Sequence, residues 1–345
     1  MDNLQFFPIL VVGFVVSLGL TPVARQLAMR LGVVAVPNNR TIHADHKPLM
    51  GGLAIYAGFA LALVLFSPPA YLTQFGSVLA GAAFIALVGL LDDRYNLGIR
   101  TRFIAAAIAG AVVVLSGIRF GFTGIELIDG ALTVFWIMAL TNALNFQDNM
   151  DGLAAGCSAI AAAFFLLIAL SQGLVLVALL SAAVLGSAVG FLIYNFAPSS
   201  TFMGDMGALM LGFVLSIIAV KLDMVQGPVA PQWLVPVLVL WLPAFDINLV
   251  IFTRLSEGRS PGQAGRDHTS HRLMSLGLSS RRVLLILYGL CVLFGAGALA
   301  LSWAPSWPVA LVLIALIVLL YVVAAQIRAR YQLESGKRPA KRATT

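Results

Sequence analysis

Charge is scarce in this chain. Of its 345 residues only 10% are Asp, Glu, Lys or Arg, against 60% hydrophobic. With a mean hydropathy of +0.98, that excludes a soluble globular domain, whose surface needs far more ionic groups than this. Cysteine is nearly absent as well. Cys157 and Cys291 both lie in apolar runs, which excludes a disulfide framework and any cysteine-spaced metal site and leaves them as small core residues. No internal repeat is apparent, which weighs against an inverted-repeat transporter. The basic residues follow apolar runs one after another, so nucleic acid is not an expected partner.

What the chain does have is long hydrophobic runs. A membrane-crossing helix needs about 20 mostly apolar residues. Eleven candidates approach this, near 4–24, 50–67, 74–91, 103–118, 131–147, 153–171, 174–196, 207–222, 231–251, 283–301 and 307–326. The expected fold is therefore an all-α polytopic membrane protein of about eleven transmembrane helices, in contact with the lipid bilayer. Residues 1–330 form one transmembrane domain, and 331–345 a basic cytoplasmic tail expected to be disordered. The flank Met1–Leu4 has no Lys or Arg and the positive charges come after the first run, so that run reads as a span rather than a cleaved signal peptide.

Basic residues orient the spans. Of the 21 Lys and Arg residues, all but Arg119 and Lys221 fall after odd-numbered runs and before even-numbered ones. Positive loops face the cytoplasm, so the N-terminus lies outside and the C-terminus inside. On the outer side, the alternation of Ile118, Phe120 and Phe122 with Ile125 and Leu127 about Thr123-Gly124 predicts a small hairpin. On the inner side, HRLMSLGL in the loop 252–282 predicts a short amphipathic helix at the interface.

Most acids sit where spans end. A carboxylate at the centre of a membrane helix costs roughly 2.5–3.5 kcal/mol on insertion scales, so such acids default to a functional reading. Asp92 and Asp93 close the third run, where the helix dipole disfavours negative charge and a cation or the nearby Arg94, Arg100 or Arg102 must compensate. Asn142, Asn145, Asp148 and Asp151 recur every three residues and would form one polar stripe on a continuous helix. Asp205, between Gly204 and Gly207, opens the eighth run, where backbone could approach a phosphate and free N–H groups could bind it. Asp246 sits near the end of the ninth. Arg40, His43, His46 and Lys47 precede the second run. His268 and His271, set among Arg266, Asp267 and Arg272, suit gripping a diphosphate better than a magnesium ion, which rarely takes imidazole.

These motifs, in order, are HxxxKPxxGG, DDR, NxxNxxDxxDGLA, an Asn ten residues before Asp205, MGDxG and a His-rich element after the ninth run. In that order the chain resembles the bacterial polyprenyl-phosphate N-acetylhexosamine-1-phosphate transferases, glycosyltransferase family 4, closest to the WecA-like branch and more distantly the MraY translocases. The resemblance spans essentially the whole membrane core. It implies transfer of a sugar-1-phosphate, most simply GlcNAc-1-phosphate, from a UDP-N-acetylhexosamine to undecaprenyl phosphate at the cytoplasmic face of the bacterial inner membrane. The products are a lipid-diphosphate sugar and UMP, the cofactor is Mg2+, for which Mn2+ can substitute, and a homodimer is compatible with it. Asp92, Asp93, Asp148 and Asp151 are then the catalytic acids, and Asp205 with Asn145 the metal ligands. Lys47, Asn142, Asn195, Phe202, His268, His271 and Arg272 become substrate contacts, Phe202 stacking on uracil. His268-Thr269-Ser270-His271-Arg272 lacks one His of the usual run, which bears on the sugar more than on the reaction. The absence of a triple His argues against a MurNAc-pentapeptide donor. Two rivals fit less well: an ion-coupled transporter would carry its acids near mid-span, and a CDP-alcohol phosphotransferase would continue Asp151-Gly152 into a DGxxAR run.

Overall fold

The computed structural model describes residues 6–35, 47–222, 231–263 and 265–334. Arg40, His43 and His46 lie outside the described residues, as do 335–345 of the expected tail. Thirteen α-helices follow one another among the described residues: α1 Phe7–Leu31, α2 Gly51–Phe66, α3 Leu72–Tyr95, α4 Ile99–Leu115, α5 Glu126–Gln147, α6 Leu153–Gln172, α7 Val175–Asn195, α8 Gly204–Lys221, α9 Leu234–Val239, α10 Trp241–Ser256, α11 Thr269–Ser275, α12 Ser280–Trp303 and α13 Trp307–Glu334. One antiparallel pair of two-residue strands, β1 Val34–Ala35 and β2 Lys47–Pro48, joins the flanks of α1 and α2.

The fold is thus an all-α polytopic membrane protein. Eight helices are long and apolar enough to cross a bilayer. A ninth unit, Pro231–Val239 with Trp241–Ser256, bends by 80° at Leu240. Pro243 accounts for the break: it cannot donate to the Val239 carbonyl one turn back, so the ladder does not continue across Leu240, and it fits the first turn of α10, where that donor is not needed. Helices α2 and α4, of 16 and 17 residues, are shorter.

The hub is α8, 89% buried along its apolar window and packed against α2, α3, α5, α6 and α7, whereas α13 is 17% buried and faces outward. Lipid tails are as apolar as leucine, so helices associate through close backbone approach and interhelical hydrogen bonds. Gly89 supplies the first: a Cβ there would lie 2.5 Å from the backbone of Asp205 and Met206, so α3 meets the start of α8 only because this residue has no side chain. Trp136 supplies the second, its indole donating to the Ser216 carbonyl at 3.1 Å across α5 and α8.

Two local expectations differ. The outer segment 117–130 forms no hairpin. Asp129, in the first turn of α5, accepts from the backbone of Thr123 and Gly124, and Thr133 accepts from Phe120, so the loop is drawn onto a helix start instead. The helix expected in HRLMSLGL begins earlier, at Thr269, ends at Ser275, and buries Ser270 and Arg272 against the bundle.

Candidate active site

Hydrogen bonds tie the ends of the helices into two groups. At one end, Arg94 of α3 donates to the carbonyls of Leu31 and Gly32 at the close of α1, Arg281 of α12 donates to Ala197 after α7, and Arg328 of α13 pairs with Glu257 after α10. At the other, Ser77 bonds Ser116 and Gln172 bonds Ser302. The acids expected to act lie at the first end.

Four helices supply its centre. Asp92, buried in the last turn of α3, faces the Arg102 guanidinium of α4 at 3.2 Å. The same guanidinium lies 3.0 Å from Asp205 of α8 and donates to Asn145 of α5 at 2.9 Å. Asn145 in turn donates to Asp205 at 2.7 Å. Asp93 takes another part: it accepts from the backbone N–H groups of Asp205 at 3.0 Å and Met206 at 3.3 Å. Those two donors of the α8 start, expected to serve a phosphate, are therefore occupied by a carboxylate. Gly204 and Gly207 likewise admit protein: a Cβ at Gly204 would meet the Leu49 carbonyl and Asp93, and one at Gly207 would lie 2.8 Å from the Met203 side chain and 2.9 Å from Gly52 Cα.

The polar stripe of α5 is broken. The helix ends at Gln147 and Asp148 caps it with non-helical backbone, so Asp148 and Asp151 sit in a turn leading to Gly152. Asn142 is buried and donates one turn back to the Met138 carbonyl at 2.8 Å, away from the acid cluster. Asp148 is half-buried; burial first, then the charges of Asp205 and Asp151, push its carboxyl up from 3.8 to about 7. Asp151 accepts from the Ser199 N–H at 2.9 Å, while Lys47 donates to the Ser199 carbonyl at 2.5 Å. Asn195 accepts from Gly152 and donates to Thr201, fixing the α5–α6 turn to the segment before α8. Phe202 is half-buried in that segment, its N–H on the Pro48 carbonyl and its carbonyl on the Gly51 N–H.

The His-bearing element docks on the same turn. Ser270 donates to Asn149 at 2.5 Å, and the rings of His268 and Phe146 lie 6.4 Å apart. His271 is 5.8 Å from His268, its Nδ1 buried and without a hydrogen-bond partner among the described residues. Burial, then the charges of His268 and Arg266, lower its imidazole from 6.5 to about 4, so it is neutral at physiological pH. Arg272 does not present itself as a phosphate contact. It is 5% exposed, and its three guanidinium nitrogens donate to Asp267, Ala324 and Thr253. Losing water lowers it to about 10, and its work is to pin α11 between α10 and α13.

Magnesium chemistry can be tested against these donors. Asp92, Asn145 and Asp205 turn hard oxygens onto one cationic group, the guanidinium of Arg102, and two carboxylates with an amide are what magnesium takes when substrate phosphates complete its shell. Among the described residues no three His, Cys, Asp or Glu side chains group closely enough to hold an ion alone. The set fits an ion shared with phosphate. One residue's role escaped the sequence: Arg102 was only one of three arginines beside the acids, though its place near the start of α4, just across the turn from Asp92, was a usable signal. Asp246 stood out as an acid near a span end, but nothing in its position 22 residues before His268 gave that partner.

Residues 75–223, which hold the acid cluster, match the model of glycosyl transferase family 4. The chain is 34% identical over 328 residues to the "probable undecaprenyl-phosphate N-acetylglucosaminyl 1-phosphate transferase" of Bacillus subtilis, covering 91% of each. It is 34% identical over 303 residues to the decaprenyl-phosphate N-acetylglucosaminephosphotransferase of Mycobacterium tuberculosis H37Rv, covering 76% of this chain and 74% of that one. The undecaprenyl-phosphate alpha-N-acetylglucosaminyl 1-phosphate transferase of Escherichia coli K12 is 31% identical over 320 residues, with 86% and 85% covered.

Proposed function

Because the chain belongs to glycosyl transferase family 4, we propose that it transfers N-acetylglucosamine-1-phosphate from UDP-N-acetylglucosamine to undecaprenyl phosphate, releasing UMP. The lipid phosphate oxygen bonds to the phosphorus that carries the sugar, the bond from that phosphorus to the UMP oxygen breaks, and a lipid-diphosphate sugar remains to start an envelope glycan. One observation carries this reading: Asp92, Asn145 and Asp205 come from three helices to a single cationic centre at one end of the bundle.

Two anions must meet for the reaction, so the site has to hold negative charge against negative charge. Asp92 orients or deprotonates the lipid phosphate. Arg102 and Lys47 are the cations nearest the cluster and the Ser199 segment. Asp148, Asp151, Asn195 and Phe202 form the nucleotide side, and neutral His271 with His268 closes it. Asp205 and Asn145, with Asp92, would hold magnesium, which when bound supplies charge neutralisation between the phosphates.

The site faces the cytoplasm of a bacterial inner membrane, with eleven crossings, the N-terminus outside and the C-terminus inside. Alternating helix ends support that count, since bonded ends fall into two groups as successive crossings require. Helix α2, about 24 Å long at 1.5 Å per residue, would cross with modest thinning of an approximately 30 Å core.

Purified protein given undecaprenyl phosphate, UDP-N-acetylglucosamine and magnesium should release UMP, and Asp205→Ala should abolish the release. No UMP from any of a panel of UDP-sugars overturns the reading.

A further inference from the structure

His268 is held more tightly than a loop histidine needs to be. Its Nδ1 lies 2.7 Å from Asp246 Oδ2, and both groups are buried, at 8% and 4% side-chain exposure. The other oxygen, Oδ1, accepts from the Thr269 backbone N–H at 2.7 Å and from the Thr269 hydroxyl at 2.6 Å. Asp246 stands in α10 just beyond the 80° bend, and His268 and Thr269 form the start of α11. One carboxylate therefore fixes a ring and the backbone that carries it.

We propose that Asp246 is a positioning residue for the transfer reaction, holding His268 in the Nδ1–H tautomer and in one orientation so that Nε2 is the ring atom available for substrate phosphate or sugar. A carboxylate only accepts, so the ring nitrogen beside it must carry the proton. The rest of the ring's chemistry is then confined to Nε2. The α11 start is tied at the same point, and Ser270 fastens it to Asn149 beside Asp148, so the ring is referenced to the acid cluster through two anchors. Asparagine cannot replace the carboxylate, because with its oxygen on the two Thr269 donors its amide NH2 would face Nδ1, which could then only accept, and the ring would need the opposite tautomer.

The role of His268 rests on the sugar-phosphate transfer reading, so the test has one arm that needs turnover and one that does not. In the first, UMP release is measured for Asp246→Asn, His268→Ala and the double variant. Removing a partner that orients a functional imidazole typically costs about 10–100-fold. That loss is expected in the wild-type background, and almost none of it in the His268→Ala background, since coupled residues are not additive. Equal losses in both backgrounds overturn the proposal, because a merely structural Asp246 would act whether or not the ring is there. Asp246→Glu should recover part of the activity lost in Asp246→Asn. In the second arm, the chain's four histidines are labelled with 15N in detergent, and the His268 signals are identified by their loss in His268→Ala. Wild type should show Nδ1 protonated, and Asp246→Asn should lose that signature. The Nε2–H tautomer in wild type overturns the proposal even if the protein transfers no sugar, whereas the Nδ1–H signature without UMP release would sink the transferase reading alone. Should Asp246→Asn not fold, Thr269→Val loosens the same carboxylate, and its loss should likewise vanish in the His268→Ala background; an undiminished loss counts against the proposal.

Discussion

Two charged regions lie at the same end of this bundle and are built on opposite rules. In the cluster of α3, α4, α5 and α8, Asp92 and Asp205 share the single guanidinium of Arg102, and Asp205 and Arg102 keep 30% and 20% of their side chains exposed. In the brace of α10, α11 and α13, Asp267 is 4% exposed and pairs with Arg254, Arg259 and Arg328 together. Outside the spans, the neighbouring acids show the contrast. Asp148 is pushed up to about 7 by burial and by other carboxylates. Burial would raise Asp267 too, but hydrogen bonds from Arg259 and Arg254 outweigh it and hold that carboxyl well below the usual range. One region leaves its carboxylates short of cationic partners, as the proposed cation site between two phosphates needs. The other neutralises its charges and hides them, as a scaffold needs.

If that contrast is right, the first region should govern turnover and the second stability. The largest effect is expected from Asp92→Asn. Loss of a positioned acid–base group usually costs about 10²–10⁴-fold, and UMP release should fall by that order while the melting temperature stays near wild type. A variant that melts early instead would move Asp92 into the scaffold. Next comes Asp267→Asn, which leaves the buried Arg254 without its charge partner. Breaking a buried pair from one side typically costs about 3–5 kcal/mol, to be read by equilibrium unfolding in mixed micelles. Unchanged stability would show that Glu257, which also pairs with Arg259 and Arg328, suffices alone.

Gly89→Ala should have a smaller effect. The added methyl must displace the start of α8, and overpacking of this kind costs about 1–3 kcal/mol. Because the displaced backbone carries the two N–H groups bound by Asp93, turnover should drop as well. The smallest effect concerns pH. A carboxyl raised in the folded state binds its proton more readily there than when unfolded, so its contribution to stability is lost as pH rises between 3.8 and about 7. Wild type should lose stability across that window relative to Asp148→Asn, and parallel curves would mean that Asp148 is not raised.

How much of this was legible beforehand follows from what each residue depends on. The apolar runs are a local property, and each is helical among the described residues, ten with one helix each and 231–251 with a bent pair. Asp92, Asn145 and Asp205 were legible as a group because each sits at a span end, and alternating spans bring such ends to one side. Asn142 was not, because nothing in the three-residue spacing says that α5 stops at Gln147 and leaves Asn142 buried a turn deeper. Arg272 misled for a similar reason. An arginine after two histidines looks like a phosphate ligand, and only the packing of α13 beside α11 reveals that the Ala324 carbonyl claims it. Asp246 and His268 meet just beyond the bend at Leu240, which Pro243 permits but whose direction it does not dictate.

The claim on which the rest depends is that Asp92, Asn145 and Asp205 share one divalent ion. Magnesium-stripped protein holding UDP-N-acetylglucosamine, titrated with Mn2+ and with free ion followed by electron paramagnetic resonance, tests it without lipid or turnover. One saturable site is expected in wild type, abolished in Asp205→Ala and weakened in Asp92→Asn and Asn145→Ala, with Asp267→Asn unaffected at temperatures where it stays folded. Binding that survives intact in all three cluster variants would contradict it.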